Sequence, residues 1–202
     1  MTEVFAVALI TVLAVISPGA DFAMVVRNSA LHGRPTGLFS AAGVAAGVLV
    51  HVTYTMLGVG LLIAANTALF TAVKLAGAAY LVFIGLRTFF ARSDVAVDLK
   101  AKSELTRPAA LRSGFLTNVL NPKTTLFVVS TFTQVVGPDT PVWRQAGYGL
   151  FMSLTHFCWF GLVALFFSDT RLRAAMLRRQ KALNRAIGSV LVGLGVSLGF
   201  AR

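Results

Sequence analysis

The sequence predicts an all-α, polytopic membrane protein with six transmembrane helices arranged as two inverted three-helix repeats, helices 1 and 4 being broken. Three observations lead there. Six stretches are long and apolar enough to cross a bilayer. Lysine and arginine collect on one side of those stretches. The first and fourth stretches each carry a capping residue followed by proline, 104 residues apart. The chain has 202 residues, of which 56% are hydrophobic and 12% charged, where a soluble domain would be about a quarter charged. Residues 1–202 therefore read as a single integral membrane domain.

The spans fall at about 4–26, 38–65, 68–90, 113–136, 145–167 and 186–201. The first follows Met1-Thr2-Glu3, which lacks the positive segment of a secretory signal, so it reads as a span. A very tight turn at Asn66-Thr67 separates the second from the third. A linker over about 93–111, with Asp94, Asp98 and Glu104 among its bases, joins a first repeat (about 1–92) to a second (about 112–202). Residues 170–183 hold five basic residues, with Leu172, Met176 and Leu183 near helical spacing. That segment reads either as an interfacial helix on anionic headgroups or as a solvated basic loop. The last span is short, and Arg185 lengthens it by snorkelling to the interface. Cys158, the single cysteine, excludes an intrachain disulfide and a cysteine zinc cluster, and its apolar setting predicts a small core residue.

A net charge of +11 in a soluble protein would point to nucleic acid. Here 14 of the 18 Lys and Arg residues lie in the first, third and fifth loops with their flanking helix ends. Only Lys74, Arg144 and Arg202 fall on the opposite side, and Lys123 lies within a span. Cytoplasmic loops carry the Lys/Arg excess, which places both termini outside and explains the basic charge without nucleic acid.

Internal symmetry supports two repeats. Ser17-Pro18 pairs with Asn121-Pro122, and the same offset sets Asp21 opposite Thr125. Lys74-Leu75-Ala76-Gly77 pairs with Arg185-Ala186-Ile187-Gly188 at an offset of 111, and His51 pairs with His156 at 105. Three spans per half invert the second half relative to the first. Breaks at corresponding positions of inverted repeats point to a transporter's midplane site.

The chemistry of the breaks follows from their residue types. Proline removes a backbone donor, and in hydrocarbon the freed carbonyls must find other partners. Ser17 reads as an N-cap with Pro18 at the first helical position and Gly19 behind it, and Asn121 with Pro122 repeats the arrangement. Two half-helix N-termini near the midplane suit a carboxylate, and Lys123 adds a cation beside the second. Asp21, one turn into the first half-helix, suits an ammonium group or carries a proton. Together they fit a small zwitterionic amino acid. A structural alternative is an Asp21–Lys123 ion pair that locks two helices together, with the prolines acting only as kinks. Asn118 either lines the same cavity or satisfies freed carbonyls. His51 and His156 suit proton relay or, more simply, interhelical hydrogen bonds. Gly43 and Gly47, like Gly195 and Gly199, are spaced for close helix packing, and glycine-rich faces of this kind permit a homodimer.

Enzyme signatures are weak. Gly195-Val196-Ser197-Leu198-Gly199 has the nucleophile-elbow pattern, but it lies in a spanning helix instead of a strand-to-helix turn. There is no His-Glu-x-x-His motif and no P-loop. The sequence thus offers no catalytic set, no metal ligand set and no cofactor site.

With these residues in view, the chain resembles the LysE/RhtB family of amino-acid exporters, in particular its homoserine and threonine efflux members. The resemblance rests on Ile16-Ser17-Pro18-Gly19-Ala20-Asp21-Phe22, then Gly33, Gly37-Leu38, Gly43, Gly47 and His51. It continues through Lys74-Leu75-Ala76-Gly77-Ala78-Ala79-Tyr80-Leu81 and Gly85, and ends with Gly114-Phe115-Leu116-Thr117-Asn118-Val119-Leu120-Asn121-Pro122-Lys123. Two positions depart from the family pattern: Ala20 stands where a second proline is usual, and Val48 where a polar residue is common. The resemblance implies efflux of amino acids or their derivatives across a bacterial inner membrane, driven by the proton motive force. Competing classes are a channel or exporter for another small solute or ion, an intramembrane enzyme, and a non-transporting assembly protein. A single central acid with no cluster of oxygen or sulfur ligands argues against divalent cations.

Overall fold

The computed structural model describes residues 2–65, 67–91, 105–136 and 140–200. Among these residues the chain is helical throughout: α1 (Thr2–Ile16), α2 (Ala20–Ala65), α3 (Thr67–Phe89), α4 (Arg107–Val119), α5 (Pro122–Val135), α6 (Val142–Phe167) and α7 (Thr170–Phe200). Among the described residues, three segments are long and apolar enough to cross a membrane: Ala20–Gly58, Thr71–Phe89 and Val142–Phe167. Outward faces are apolar, with Leu57, Leu154 and Leu165 exposed, as hydrocarbon contact requires.

Both expected breaks are present. The first separates α1 from α2 over Ser17-Pro18-Gly19, and the second separates α4 from α5 at Leu120-Asn121. With 15, 13 and 14 residues, α1, α4 and α5 are each only about 20 Å long, so none crosses a bilayer alone. Thr106 caps α4 by accepting from the Ala109 N–H at 3.4 Å, and Pro108 fits its first turn, where no intrahelical donor is needed.

The expected loop at 27–37 takes another form. α2 runs helically on both sides of one residue, Gly33, which adopts φ 81° and ψ 177°. That backbone region is essentially closed to residues with a Cβ. Gly33 divides α2 into arms at 20–32 and 34–65, and Asn28 Nδ2 donates to Ser40 Oγ at 2.9 Å across the bend. α7 also differs from expectation. Its backbone runs unbroken from Thr170, so residues 170–183 form neither a loop nor a separate helix but belong to the same helix as the last expected span; the side chains of residues 170–180 and 183 lie outside the described residues. Asn66 and residues 92–104, which hold most of the expected linker, also lie outside them.

Packing interleaves the two sequence halves. α2 lies against α4 and α6, α3 lies against α5 and α7, and α1 contacts α5, α6 and α7. Glycines allow the closest approaches. A Cβ on Gly43 would collide with the Leu111 carbonyl, and one on Gly114 with the Ser40 carbonyl. Gly85 and Gly188 face each other across α3 and α7. Gly43→Val should therefore force α2 and α4 apart at a cost of about 1–3 kcal/mol, lowering the unfolding midpoint in detergent by several degrees. An unchanged midpoint would show that the two backbones do not need this contact.

Two apolar clusters flank the middle of the molecule. One contains Ile10, Val52, Phe132 and Met152, and the other Phe22, Val26, Phe160 and Phe167. At one end Glu3 Oε2 accepts from the Tyr148 hydroxyl at 2.9 Å and lies 3.9 Å from Arg144. At the other, Arg34 Nε donates to Ser168 Oγ at 3.1 Å. Cys158 is exposed, contrary to the expected core position. α6 turns Met152, His156, Phe160, Val163 and Phe167 inward at helical spacing, which leaves position 158 on the outward face with Leu154 and Leu165.

Candidate functional site

Between the apolar clusters the two breaks meet and form a polar layer. Asp21 sits in the first turn of α2, close to the positive end of its dipole, and is only 6% exposed. Its Oδ2 accepts from Asn118 Nδ2 at 2.9 Å, Asn121 Nδ2 at 3.0 Å and Thr124 Oγ1 at 3.4 Å. Oδ1 has no hydrogen-bond partner, and neither has Asn118 Oδ1. All three donors come from around the second break.

Lys123 makes the reciprocal connection. Its Nζ donates to the carbonyls of Ser17 at 2.6 Å and Ala14 at 3.2 Å, groups that the end of α1 leaves free. The cation of the second break thus caps the helix that ends at the first. Asp21 and Lys123 form no ion pair within 4.0 Å. The direct lock is replaced by a crossed arrangement in which each charge serves the other break. Gly19 leaves room for it, because a Cβ there would stand 3.3 Å from Lys123 Cδ.

Asn121 acts as the expected cap: its Oδ1 accepts from the Lys123 N–H at 3.0 Å, and Pro122 starts α5. Ser17 does not. The Gly19 carbonyl accepts the first α2 bond, from the Ala23 N–H at 3.0 Å, while Ser17 Oγ pairs with Thr88 Oγ1 at 2.7 Å. Pro18 and Gly19 stay unwound between Ser17 and α2, which sets the serine hydroxyl too far back to reach that helix's donors. The cap position falls to glycine, which is also accepted there.

His51 joins the second break from α2. Its Nε2 lies 2.9 Å from the Asn118 carbonyl, a group that only accepts, so Nε2 carries the proton. In the neutral ring Nδ1 is then the acceptor, facing the Tyr54 hydroxyl at 2.5 Å and Thr125 Oγ1 at 3.4 Å. This is the expected interhelical bond. His156 differs, since its Nδ1 bonds the Met152 carbonyl within α6. Every candidate pathway residue except His51 stands at a break or within one turn of it, and His51 is bonded to one.

Two cavities share this layer. A small one of ≈ 20 Å³ is lined by Asp21, Thr124, Phe127, His156 and Phe160, and holds about one water-sized group. A wider one of ≈ 490 Å³ is lined by Pro18, Tyr80, Phe83, Arg87, Thr88 and Leu126 among others. Ser17, Gly19, Asn121 and Lys123 line both and form the partition between them. Sequence reading missed Thr124, Tyr80, Arg87 and Thr88. For Thr124 a signal existed: the repeat offset set Asp21 opposite Thr125, one residue away. The others lie on α3, where an arginine and a threonine near the span's end resemble ordinary interfacial residues and a single mid-span tyrosine resembles ordinary packing.

A family profile described as LysE type translocator matches residues 12–202. The chain is 29% identical over 201 residues to the "Uncharacterized membrane protein YrhP" of Bacillus subtilis, covering 95% of this chain and 96% of that one. It is 27% identical over 201 residues to a "Threonine efflux protein" of Salmonella typhi, covering 98% of each. It is 29% identical over 203 residues to a "Homoserine/homoserine lactone efflux protein" of Salmonella typhimurium, covering 98% of this chain and 96% of the relative. No solved structure matches it.

Proposed function

The chain belongs to the LysE type translocator family, and from that premise we propose that it exports small amino acids or close derivatives across the bacterial inner membrane, coupled to protons. It is a membrane transport protein and not an enzyme. The observation that carries the reading is the Asp21 carboxylate, buried at a helix break with one oxygen unpartnered beside a cavity the size of a small polar group. An intramembrane acid in such a place marks a substrate or proton path. Asp21 receives the substrate's ammonium group or a proton, and the two occupants exclude each other.

The same reading takes α1 with the first arm of α2, and α4 with α5, as the two broken helices of an inverted repeat. The crossed Asp21 and Lys123 contacts support that symmetry. Both termini lie outside: Glu3 and Arg144 meet at one end, while Arg34 stands with Ser168 at the other, the end where basic loops gather.

Purified protein in lipid vesicles tests this. Preloaded L-threonine, L-homoserine and other neutral amino acids should leave faster when an opposing proton gradient is imposed, and collapsing the gradient should remove the acceleration. Flux equal to that of protein-free vesicles for every amino acid would overturn export. Flux that ignores the gradient would overturn the coupling alone.

A further inference from the structure

We propose that Arg87, facing the wide cavity, is the docking residue for the substrate's carboxylate, so that this exporter takes zwitterionic or anionic amino acids and discriminates against their amides, esters and lactones. The inference rests on the export reading and adds a specificity residue to it. The groups that sequence reasoning assigned to the carboxylate are already engaged. Lys123 Nζ holds the Ala14 and Ser17 carbonyls, Asn121 spans Asp21 and the Lys123 N–H, and Ser17 Oγ is paired with Thr88. Arg87 has no hydrogen-bond or ion-pair partner among the described residues, and it lines the ≈ 490 Å³ cavity with Lys123.

Among the described residues, the wall of that cavity has two cations and no acid, with hydroxyls from Tyr80, Thr88 and Ser17. Its volume accommodates a small amino acid whole, whereas the ≈ 20 Å³ cavity beside Asp21 has room only for its ammonium head. The partition shared by the two cavities then places the ammonium toward Asp21 and the carboxylate toward Arg87. A guanidinium presents a planar fork that matches a carboxylate's two oxygens, a geometry an ammonium lacks. Placing a substrate with a cationic side chain against Arg87 and Lys123 would set like charges together in a cavity whose described lining has no acid of its own.

The bland reading is that Arg87 is a last-turn cation favourably placed at the negative end of α3. The two readings part in lipid vesicles carrying wild-type, Arg87→Gln or Arg87→Lys protein, with L-threonine flux measured against L-threoninamide as competitor. Wild type should bind the acid well and the amide poorly. Arg87→Gln should raise KM for the acid by roughly 10–100-fold, the range for one charge-assisted contact, and leave the amide's inhibition constant in place. Arg87→Lys, which keeps the charge at the helix end, should fall between them. Equal shifts for acid and amide, or no shift in either, would overturn the assignment while wild-type flux still upholds export. A wild-type protein without flux for any amino acid would overturn export and this assignment together. If Arg87→Gln fails to fold, Arg87→Lys still decides, since a merely electrostatic role predicts no change in discrimination.

Discussion

Asp21→Asn is expected to abolish export while leaving the protein folded and inserted. The replacement keeps the side chain's size, and its amide oxygen can still accept from Asn118 or Asn121. What it loses is the charge. A hydrogen bond to a charged group contributes about 1.5–3 kcal/mol, so losing the contact with an ammonium slows transport at least about tenfold. The loss of a titratable proton site removes the remainder. Initial efflux from vesicles, with a melting curve on the same preparation, checks both halves. Proton-accelerated efflux within about twofold of wild type, a free-energy change of only ~0.4 kcal/mol, would exclude Asp21 from coupling.

Lys123→Met should also cut flux by at least about tenfold, but with a different stability signature. Two opposing effects decide the melting point. Removing Nζ strips the Ser17 and Ala14 carbonyls of charge-assisted donors, about 1.5–3 kcal/mol each. It also removes the desolvation cost of an ammonium half-buried between the two cavities, a cost of the same order. The terms are of similar size, so the melting point should move little while the break loses its cap and the partition between the cavities opens. A large fall in the melting point with flux retained would make Lys123 a purely structural brace.

Much of this site was legible in the sequence because it is built from residues that are expensive in hydrocarbon. A proline, an asparagine or an acid in the middle of an apolar run needs a reason, and both breaks and Asp21 were found that way. The Asn121 cap followed from chemistry confined to three adjacent residues. Ser17 shows the limit of that logic: cap propensity is local, but Pro18 and Gly19 stay unwound after it and its carbonyl is held by Lys123, more than 100 residues away. The crossed contacts of Asp21 and Lys123 were out of reach for the same reason, since opposite charges on two helices read most simply as a pair. Arg87 was hidden by its ordinariness, being counted among the cations that orient the chain. The bend at Gly33 lies in the gap between two apolar spans, where hydropathy does not distinguish a loop from a helix that one glycine at positive φ turns back.

The interleaving of the helices bears on how the protein is made. α3 is complete by Phe89, yet α7, its long neighbour, does not begin until Thr170. α2 likewise waits for α4 and α6. Several glycine faces meet only the other half, Gly43 and Gly47 against α4 and Gly85 against α7, and the charges of each break are held by the other. After synthesis of residues 1–92 the Asp21 carboxylate has none of its three donors, which all lie beyond residue 117. A buried, unpaired acid is costly, so the nascent first half must hold Asp21 neutral, leave it in contact with water, or shelter it until the second break arrives. The charged and capping residues of the two breaks are thus the ones that make its assembly depend on the order of synthesis.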